Sequence, residues 1–403
     1  GSHMKVLILT TDAGGGHRSV ARALAASFEE AGGAGCDVRV VDFAGYAPFP
    51  LSRTREMHRF MMHHPALYSA FYDATNARDG WVINGPAVGL AMEAGMRRLL
   101  CEHQPDVVVT THPLASPSLV SVLHRHRARL PYYTVVTDFG RVHTFWAYPF
   151  GELWFAPCEE TAGHLVRSGI PAERVVITGY AVHPRFARRS RPAAELRREL
   201  GLEPDRFTVL VIGGAEGVGP LEEVVTAIAS APGPWQLIVI AGRNEALRER
   251  LEAQRATWPV PVHVDGLVDD MPSRMHAADL LLSKGGPATL SEALTCGLPA
   301  FLTSVLPGQE EHDARHFERL GVARRLAEPG EARLLLQEMA APGSPTRQEM
   351  LANVHRAARP LASVEIAQRI LSRGTAVTAP PIPPLAGLRV LHNRALRQRS
   401  RAR

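Results

Sequence analysis

Leu282-Ser283-Lys284-Gly285-Gly286-Pro287-Ala288-Thr289-Leu290-Ser291-Glu292-Ala293-Leu294 decides how the rest of the chain is read. The run ahead of it, Ala278-Asp279-Leu280-Leu281-Leu282, is apolar enough for a strand buried on both faces of a parallel sheet. Behind it, Leu290, Ala293 and Leu294 fall on one face of a helix. Gly285-Gly286 makes the turn between them, and Pro287 suits a first helical position, where no N–H is needed. A strand, a glycine turn and a helix start leave backbone N–H groups pointing outward, a seat for an anion such as phosphate. Glu292, about one turn on, is placed to accept hydrogen bonds from a ribose beside that phosphate. An ordinary βα turn without a ligand fits the same residues, so the surroundings must decide.

Upstream, residues 207–212 read as a strand running into Gly213-Gly214-Ala215-Glu216-Gly217-Val218-Gly219-Pro220, a second glycine-rich βα turn, followed by a helix over 221–230. Strands follow at 235–243 and 262–268; downstream, 297–303 is a strand ending in Pro307-Gly308-Gln309-Glu310-Glu311-His312-Asp313. The N-terminal half repeats the pattern. Lys5-Val6-Leu7-Ile8-Leu9-Thr10 is a strand that meets Asp12-Ala13-Gly14-Gly15-Gly16-His17, then an Ala-rich helix over 20–30. Further strands are expected at 36–42, 105–113, 132–139, 153–157 and 175–179. Such regular alternation predicts α/β architecture with one doubly wound parallel sheet in each half. The expected division is 4–183, then 184–376 after an Arg- and Pro-rich linker, then a mobile Pro/Arg-rich basic tail over 377–403. His17, Asp138 and His143 would share the carboxyl-end rim of the first sheet, where ligands bind in such folds. For His17 the alternative is a capping or solvated residue.

The 403 residues are 45% apolar and 21% charged, which suits a globular protein and excludes a disordered one. Gly1-Ser2-His3-Met4 reads as a cloning scar. The sequence shows neither a signal segment nor a membrane-spanning run, so a cytoplasmic protein is expected, or one peripheral on the inner face of the cell membrane. Cys36, Cys101, Cys158 and Cys296 form no C-x-x-C pair, and no zinc or redox site is expected. The net charge of +5 comes largely from Arg clusters near 185–199 and at the C-terminus, which could meet an anionic membrane. No recognition module or aromatic platform supports a nucleic-acid partner. Between 48 and 100, Met57, Phe60, Met61, Met62, Leu67, Tyr68, Phe71 and Tyr72 crowd together. They read either as helices packed on the sheet or as an amphipathic surface that receives a lipid.

Taken in order, Asp12-Ala13-Gly14-Gly15-Gly16-His17, Pro65-Ala66-Leu67-Tyr68, Val136-Thr137-Asp138-Phe139, Gly213-Gly214-Ala215-Glu216-Gly217, Lys284-Gly285-Gly286-Pro287-Ala288-Thr289 and Gly308-Gln309-Glu310 resemble the monogalactosyldiacylglycerol synthase and processive diacylglycerol glucosyltransferase group. The resemblance covers residues 5–330. It implies a GT-B fold, two Rossmann-like domains facing across a cleft, and an inverting transfer of a hexose from a UDP-sugar to a lipid hydroxyl, with diacylglycerol the expected acceptor. It implies no catalytic metal and no cofactor beyond the UDP-sugar co-substrate. His17 matches the proposed acceptor base, with Asp138 beside it; Gly15, Gly16, Tyr68 and His143 would line the acceptor side. Gly213, Gly214, Glu216, Gly217, Lys284, Gly286, Pro287, Ala288 and Thr289 would attend the diphosphate. Glu292 would take the ribose, Gln309 and Glu310 the sugar, and Arg243 and Val268 would complete the donor site. A neutral imidazole can take a hydroxyl proton near neutral pH, and a helix start can hold a departing diphosphate. Ala215 in place of a third glycine, and the acidic continuation after Gln309, depart from the group's pattern. The competing expectations are a GT-B enzyme of natural-product or polyprenyl-linked synthesis, a nucleotide-sugar epimerase, and a basic nucleic-acid-binding protein.

Overall fold

The computed structural model describes residues 3–12, 15–49, 51–53, 56–57, 60–61, 63–64, 66–67, 69–70, 73, 76, 80–189, 191–213 and 220–382. The chain forms two compact units: one runs to Pro184 and resumes at Leu361, the other is Arg185–Pro360.

In the first unit, β1 (Met4–Thr10), α1 (Gly15–Gly32), β2 (Cys36–Asp42), α2 (Gly80–His103), β3 (Val107–Thr110), α3 (Ala115–Arg125), β4 (Tyr132–Val135), β5 (Trp154–Ala156), α4 (Glu159–Arg167) and β6 (Val175–Ile177) alternate along the chain. The strands are parallel, in the order β2-β1-β3-β4-β5-β6. Every residue of β3 and β4 is buried, as expected of strands covered by helices on both faces. Chain order reverses between β1 and β3, which makes their carboxyl ends the switch point of the sheet.

The second unit repeats the plan with α5 (Ala193–Glu199), β7 (Phe207–Ile212), α6 (Leu221–Ala229), β8 (Trp235–Ile240), α7 (Glu245–Arg255), β9 (Val262–Asp265), α8 (Met271–His276), β10 (Leu280–Ser283), α9 (Pro287–Thr295), β11 (Ala300–Leu302), α10 (Gln309–Arg319), β12 (Ala323–Arg325), α11 (Glu331–Ala340) and α12 (Pro345–Ala357). Its parallel order is β12-β11-β10-β7-β8-β9, with the switch point between β7 and β10. The register Leu282↔Val211 brings Gly213, just past β7, and Lys284, just past β10, out side by side.

Two features differ from the sequence expectation. The last described helix, α13 (Ala362–Arg373), belongs to the first unit, whereas the expected second domain ran to 376. Its buried Ala362, Ile366, Ala367 and Ile370 form an apolar face, and the helix packs on α1. Ser27 Oγ donates to Ser363 Oγ at 3.0 Å, and Ser363 Oγ donates to the Val182 carbonyl at 2.7 Å. The start of the expected mobile tail, residues 377–382, lies against the first unit; residues 383–403 are outside the described residues. The buried Glu152 carboxylate accepts from the amides of Thr378 at 2.9 Å and Ala379 at 2.8 Å.

The close packing expected over 48–100 is found in α2, where a Cβ on Gly95 would stand 2.0 Å from the Tyr46 carbonyl oxygen. Phe49, Met57, Phe60 and Leu67 in this stretch are exposed, Phe49 by 74%. Met62, Tyr68, Phe71 and Tyr72 lie outside the described residues. Among the described residues, no helix is long and apolar enough to cross a membrane.

Candidate functional site

The carboxyl-end rim of the first sheet carries three histidines whose ring states are set by the backbone. His17 sits in the first turn of α1, beyond Asp12 and the undescribed Ala13-Gly14, with Gly15 and Gly16 just before it. Its Nδ1 lies 2.9 Å from the carbonyl oxygen of Thr111, just past β3, and 2.9 Å from Thr137 Oγ1, just past β4. A carbonyl can only accept, so Nδ1 carries the proton and Nε2 keeps its lone pair. His112 is set the opposite way: its Nδ1 accepts from the Leu114 amide at 3.2 Å, which leaves the proton on Nε2. His143 caps a short turn by accepting from the Phe145 amide at 3.2 Å, and is set like His112. Of these three rings, His17 alone has a bare Nε2. His112 packs edge-on against it with centroids 4.4 Å apart, and Trp146 lies 6.4 Å away.

Burial lowers His17 to about 4, against the Thr111 carbonyl, which raises it; burial also lowers His143 to about 4. Both are therefore neutral near pH 7. Burial raises Asp138 to about 6, opposed by the Trp146 indole N–H, which donates to its Oδ2 at 2.8 Å. Trp146 thus stands beside both His17 and Asp138. Asp12 is engaged elsewhere, in an ion pair with Arg18 at 2.6 Å. Tyr68 lies outside the described residues. A cavity of about 280 Å³ lined by Lys5, Asp37, Arg39 and Glu102 is at the opposite, amino end of β1 and β2.

The second rim is built on β7 and β10. Gly213 opens the turn after β7; a Cβ there would meet Leu221 Cδ2 at 2.9 Å. Gly214, Glu216 and Gly217 are outside the described residues. After β10, Gly285 donates its amide to the Ser304 carbonyl at 2.9 Å and could not take a Cβ without crowding Val305 Cγ2 at 3.0 Å. Gly286 is different: a Cβ there would meet only Lys284 Cε, at an ordinary 3.7 Å. Gly286 caps α9, Pro287 is its first residue, and no side chain caps the end. The amides of Ala288 and Thr289 consequently have no carbonyl one turn back within the helix.

Glu292 follows in α9, raised to about 7 by burial, with the Arg185 charge acting against the rise. Lys284 Nζ is 3.6 Å from Glu310 Oε2, and Glu310 Oε1 accepts from the Leu306 amide at 3.1 Å. Gln309, the first residue of α10, donates from Nε2 to Asp313 Oδ1 at 3.2 Å. Lys284, Gly286, Pro287, Ala288, Thr289, Glu292, Gln309 and Glu310 therefore sit past the ends of β10 and β11. Arg243, exposed, lies past β8, and Val268 past β9, two and three strands from β10. The Val268 loop is held by Asp265, which takes Arg274 Nε at 2.7 Å and His263 Nε2 at 3.0 Å. Burial would raise Asp265, yet these partners pull it down to about 2.

Sequence reasoning missed His112, whose ring meets His17 although it reads as the polar end of a strand, and Arg185, which it placed in a linker. A third is Trp146, which carried no chemical signature in the sequence.

Two Rossmann-like units with glycine turns at both switch points define a GT-B protein, and its solved relatives in shape agree. MurG from Acinetobacter baumannii superposes with a TM-score of 0.58 at 16% identity, over 92% of this chain and 99% of that one. HepE from Anabaena in complex with UDP-glucose gives 0.54 at 16% identity, over 92% and 100%. A UDP-GlcNAc 2-epimerase from Neisseria meningitidis gives 0.54 at 13% identity, over 92% and 100%. The fold alone thus hosts both transferases and epimerases, and sequence must decide between them.

Residues 17–182 match the family described as monogalactosyldiacylglycerol (MGDG) synthase, and residues 208–354 match the glycosyltransferase family 28 C-terminal domain. The chloroplastic monogalactosyldiacylglycerol synthase of Spinacia oleracea is 32% identical over 375 residues, 91% of this chain and 72% of the relative. Monogalactosyldiacylglycerol synthase 1 of Arabidopsis thaliana is 30% identical over 372 residues, 90% and 69%. The chain belongs to the monogalactosyldiacylglycerol synthase family and is a glycosyltransferase.

Proposed function

We propose that this protein transfers a hexose from a UDP-sugar to a hydroxyl of diacylglycerol at a membrane surface, with inversion at the sugar carbon. The relatives' names supply the substrate class. The observation that carries the mechanism is the state of His17: a carbonyl holds its Nδ1 proton and leaves Nε2 bare. In this reading Nε2 removes the acceptor's hydroxyl proton as that oxygen bonds to the anomeric carbon. The bond from that carbon to the diphosphate oxygen breaks on the opposite face, and the electron pair leaves with UDP. Amides at the start of α9 and Lys284 take up the diphosphate charge, Glu292 holds the ribose, and Gln309 and Glu310 hold the sugar. The exposed Phe49, Met57, Phe60 and Leu67, with Arg53 5.6 Å from the Phe49 ring, suit a surface that meets lipid.

The test supplies UDP-galactose or UDP-glucose with diacylglycerol vesicles to the wild-type protein and to His17→Gln. A β-linked hexosyl lipid from the α-linked donor is expected, with turnover falling by about 100-fold or more in the variant. Release of UDP without any lipid product would sink the transferase reading in favour of an epimerase. Near-normal transfer by the variant would remove His17 as the base.

A further inference from the structure

Two residues that the proposed mechanism gives to different parts of the donor are paired with each other in the structure. Lys284 Nζ stands 3.6 Å from Glu310 Oε2. Backbone hydrogen bonds fix this approach. The Thr303 amide donates to the Ser283 carbonyl at 2.8 Å and the Gly285 amide to the Ser304 carbonyl at 2.9 Å, so the turns after β10 and β11 are laced together. Glu310 is held from its other side, because Oε1 accepts from the Leu306 amide at 3.1 Å. The lysine stem runs past the start of α9, where a Cβ on Gly286 would stand 3.7 Å from Lys284 Cε. The ammonium thus extends from the start of α9 toward the carboxylate of α10. The neighbouring Glu311 is engaged by Arg325 at 3.0 Å and Arg315 at 3.1 Å, so it does not share in the pair.

We propose that the Lys284–Glu310 pair is an exchangeable contact that couples the diphosphate to the hexose: the arriving diphosphate draws Lys284 off Glu310, and the carboxylate so released accepts the sugar hydroxyls. The inference rests on the donor reading given under the proposed function. A carboxylate beside an anion seat repels a diphosphate, and a lysine there without an anion lacks a counter-charge; in the resting protein each group neutralises the other. An ammonium has three N–H donors and no acceptor, so phosphate oxygens, which carry more negative charge than one carboxylate, can take it over. Glu310 stays in place meanwhile, because Oε1 keeps the Leu306 amide while Oε2 changes partner from ammonium to hydroxyl. UDP alone breaks the pair without replacing what Glu310 loses. A UDP-hexose breaks it and brings the O–H donors that take the lysine's place. The sugar is thus recognised only behind its own diphosphate.

The experiment is calorimetric titration of UDP, UDP-galactose and UDP-glucose into wild-type protein, Glu310→Gln, Lys284→Met and the double variant. Glutamine keeps a carbonyl oxygen for the Leu306 amide but gives up the charge that holds the lysine. Glu310→Gln is therefore expected to bind UDP about two- to fivefold more tightly than wild type, the worth of a partly exposed ion pair. The same variant should lose much of the advantage that the better UDP-hexose has over UDP. Lys284→Met is expected to weaken UDP, and in its background Glu310→Gln should tighten UDP less, because no lysine remains to be released. A pair that only braces the two turns would instead leave UDP affinity unchanged or lowered in both single variants. Glu310→Gln that binds UDP no more tightly than wild type, or tightening of equal size with and without Lys284, overturns the inference while leaving the donor site intact. A wild-type protein that does not bind UDP at all overturns the donor reading, and the coupling with it.

Discussion

Removing the Glu152 carboxylate should release the C-terminal segment from the first unit. Glu152 is 1% exposed and accepts from three donors of that segment, the Thr378 and Ala379 amides and the Thr378 hydroxyl. Its Oε1 takes the Thr378 amide at 2.9 Å and the Ala379 amide at 2.8 Å; its Oε2 takes the Thr378 hydroxyl at 2.5 Å and Arg373 Nη2 at 3.3 Å. Glu152→Ala leaves two amides, a hydroxyl and a guanidinium without this acceptor. Breaking a buried ionic group on one side costs about 3–5 kcal/mol, or roughly 100- to 4000-fold in the local opening equilibrium. The readout is amide hydrogen exchange over 375–382, which reports local opening and needs no two-state unfolding of a two-unit chain. Glu152→Gln keeps an acceptor oxygen and should fall between. Burial would raise this carboxyl, but the Thr378, Ala379 and Arg373 hydrogen bonds outweigh it and hold it below its ordinary range. A lowered carboxyl contributes stability that is complete above the unfolded value and lost as pH falls through the folded one, so protection should fade on acidification. If the Thr378 and Ala379 amides exchange equally fast in wild type and Glu152→Ala, the reasoning fails.

The two glycines before α9 make a paired test. Gly285→Ala must push Val305 and Ala314 aside and should cost about 1–3 kcal/mol in thermal or chemical denaturation. Gly286→Ala has room in the protein itself, so it should melt like wild type; a selective loss of UDP affinity would show that a ligand approaches that backbone, and unchanged binding would show that none does. His17 supplies a pH test. Its folded value near 4 lies below the unfolded 6.5, so the unfolded chain takes a proton first and stability should drop as pH falls from 6.5 to 4. His17→Gln should flatten that part of the melting-temperature profile, and an unaltered slope would contradict the burial argument. For the same reason the acid limb of kcat/KM should come from groups near 6 and 7, Asp138 and Glu292, and survive in His17→Gln as a limb on the residual rate.

The parallel sheets were readable because their strands are short apolar runs with a glycine turn at one end. β1, β7 and β10 fall where the pattern places them, since burial on both faces leaves little choice of residue. The placement of α13 was not readable: an Ala- and Ile-faced helix carries no mark of which sheet it will cover. Glu152 gives no signal either, because its partners are backbone amides more than two hundred residues away in sequence. The Lys284–Glu310 pair joins two residues that sequence had already placed together, but their mutual approach depends on β10 and β11 being neighbours. Arg185 was read as spacer because an Arg- and Pro-rich stretch usually is one. His112 was passed over because its meaning depends on His17 reaching it from the start of α1.

The return of the chain to its first unit has a consequence for the order in which the protein can be completed. On a ribosome the leading domain ordinarily folds first. Here the leading unit is missing α13 until residue 373 has been made, so the face of α1 that packs on it has no cover until then. The second unit, Arg185–Pro360, is continuous and needs nothing that comes later. The unit begun second is thus the one that can finish first, and the unit bearing His17 must wait for α13.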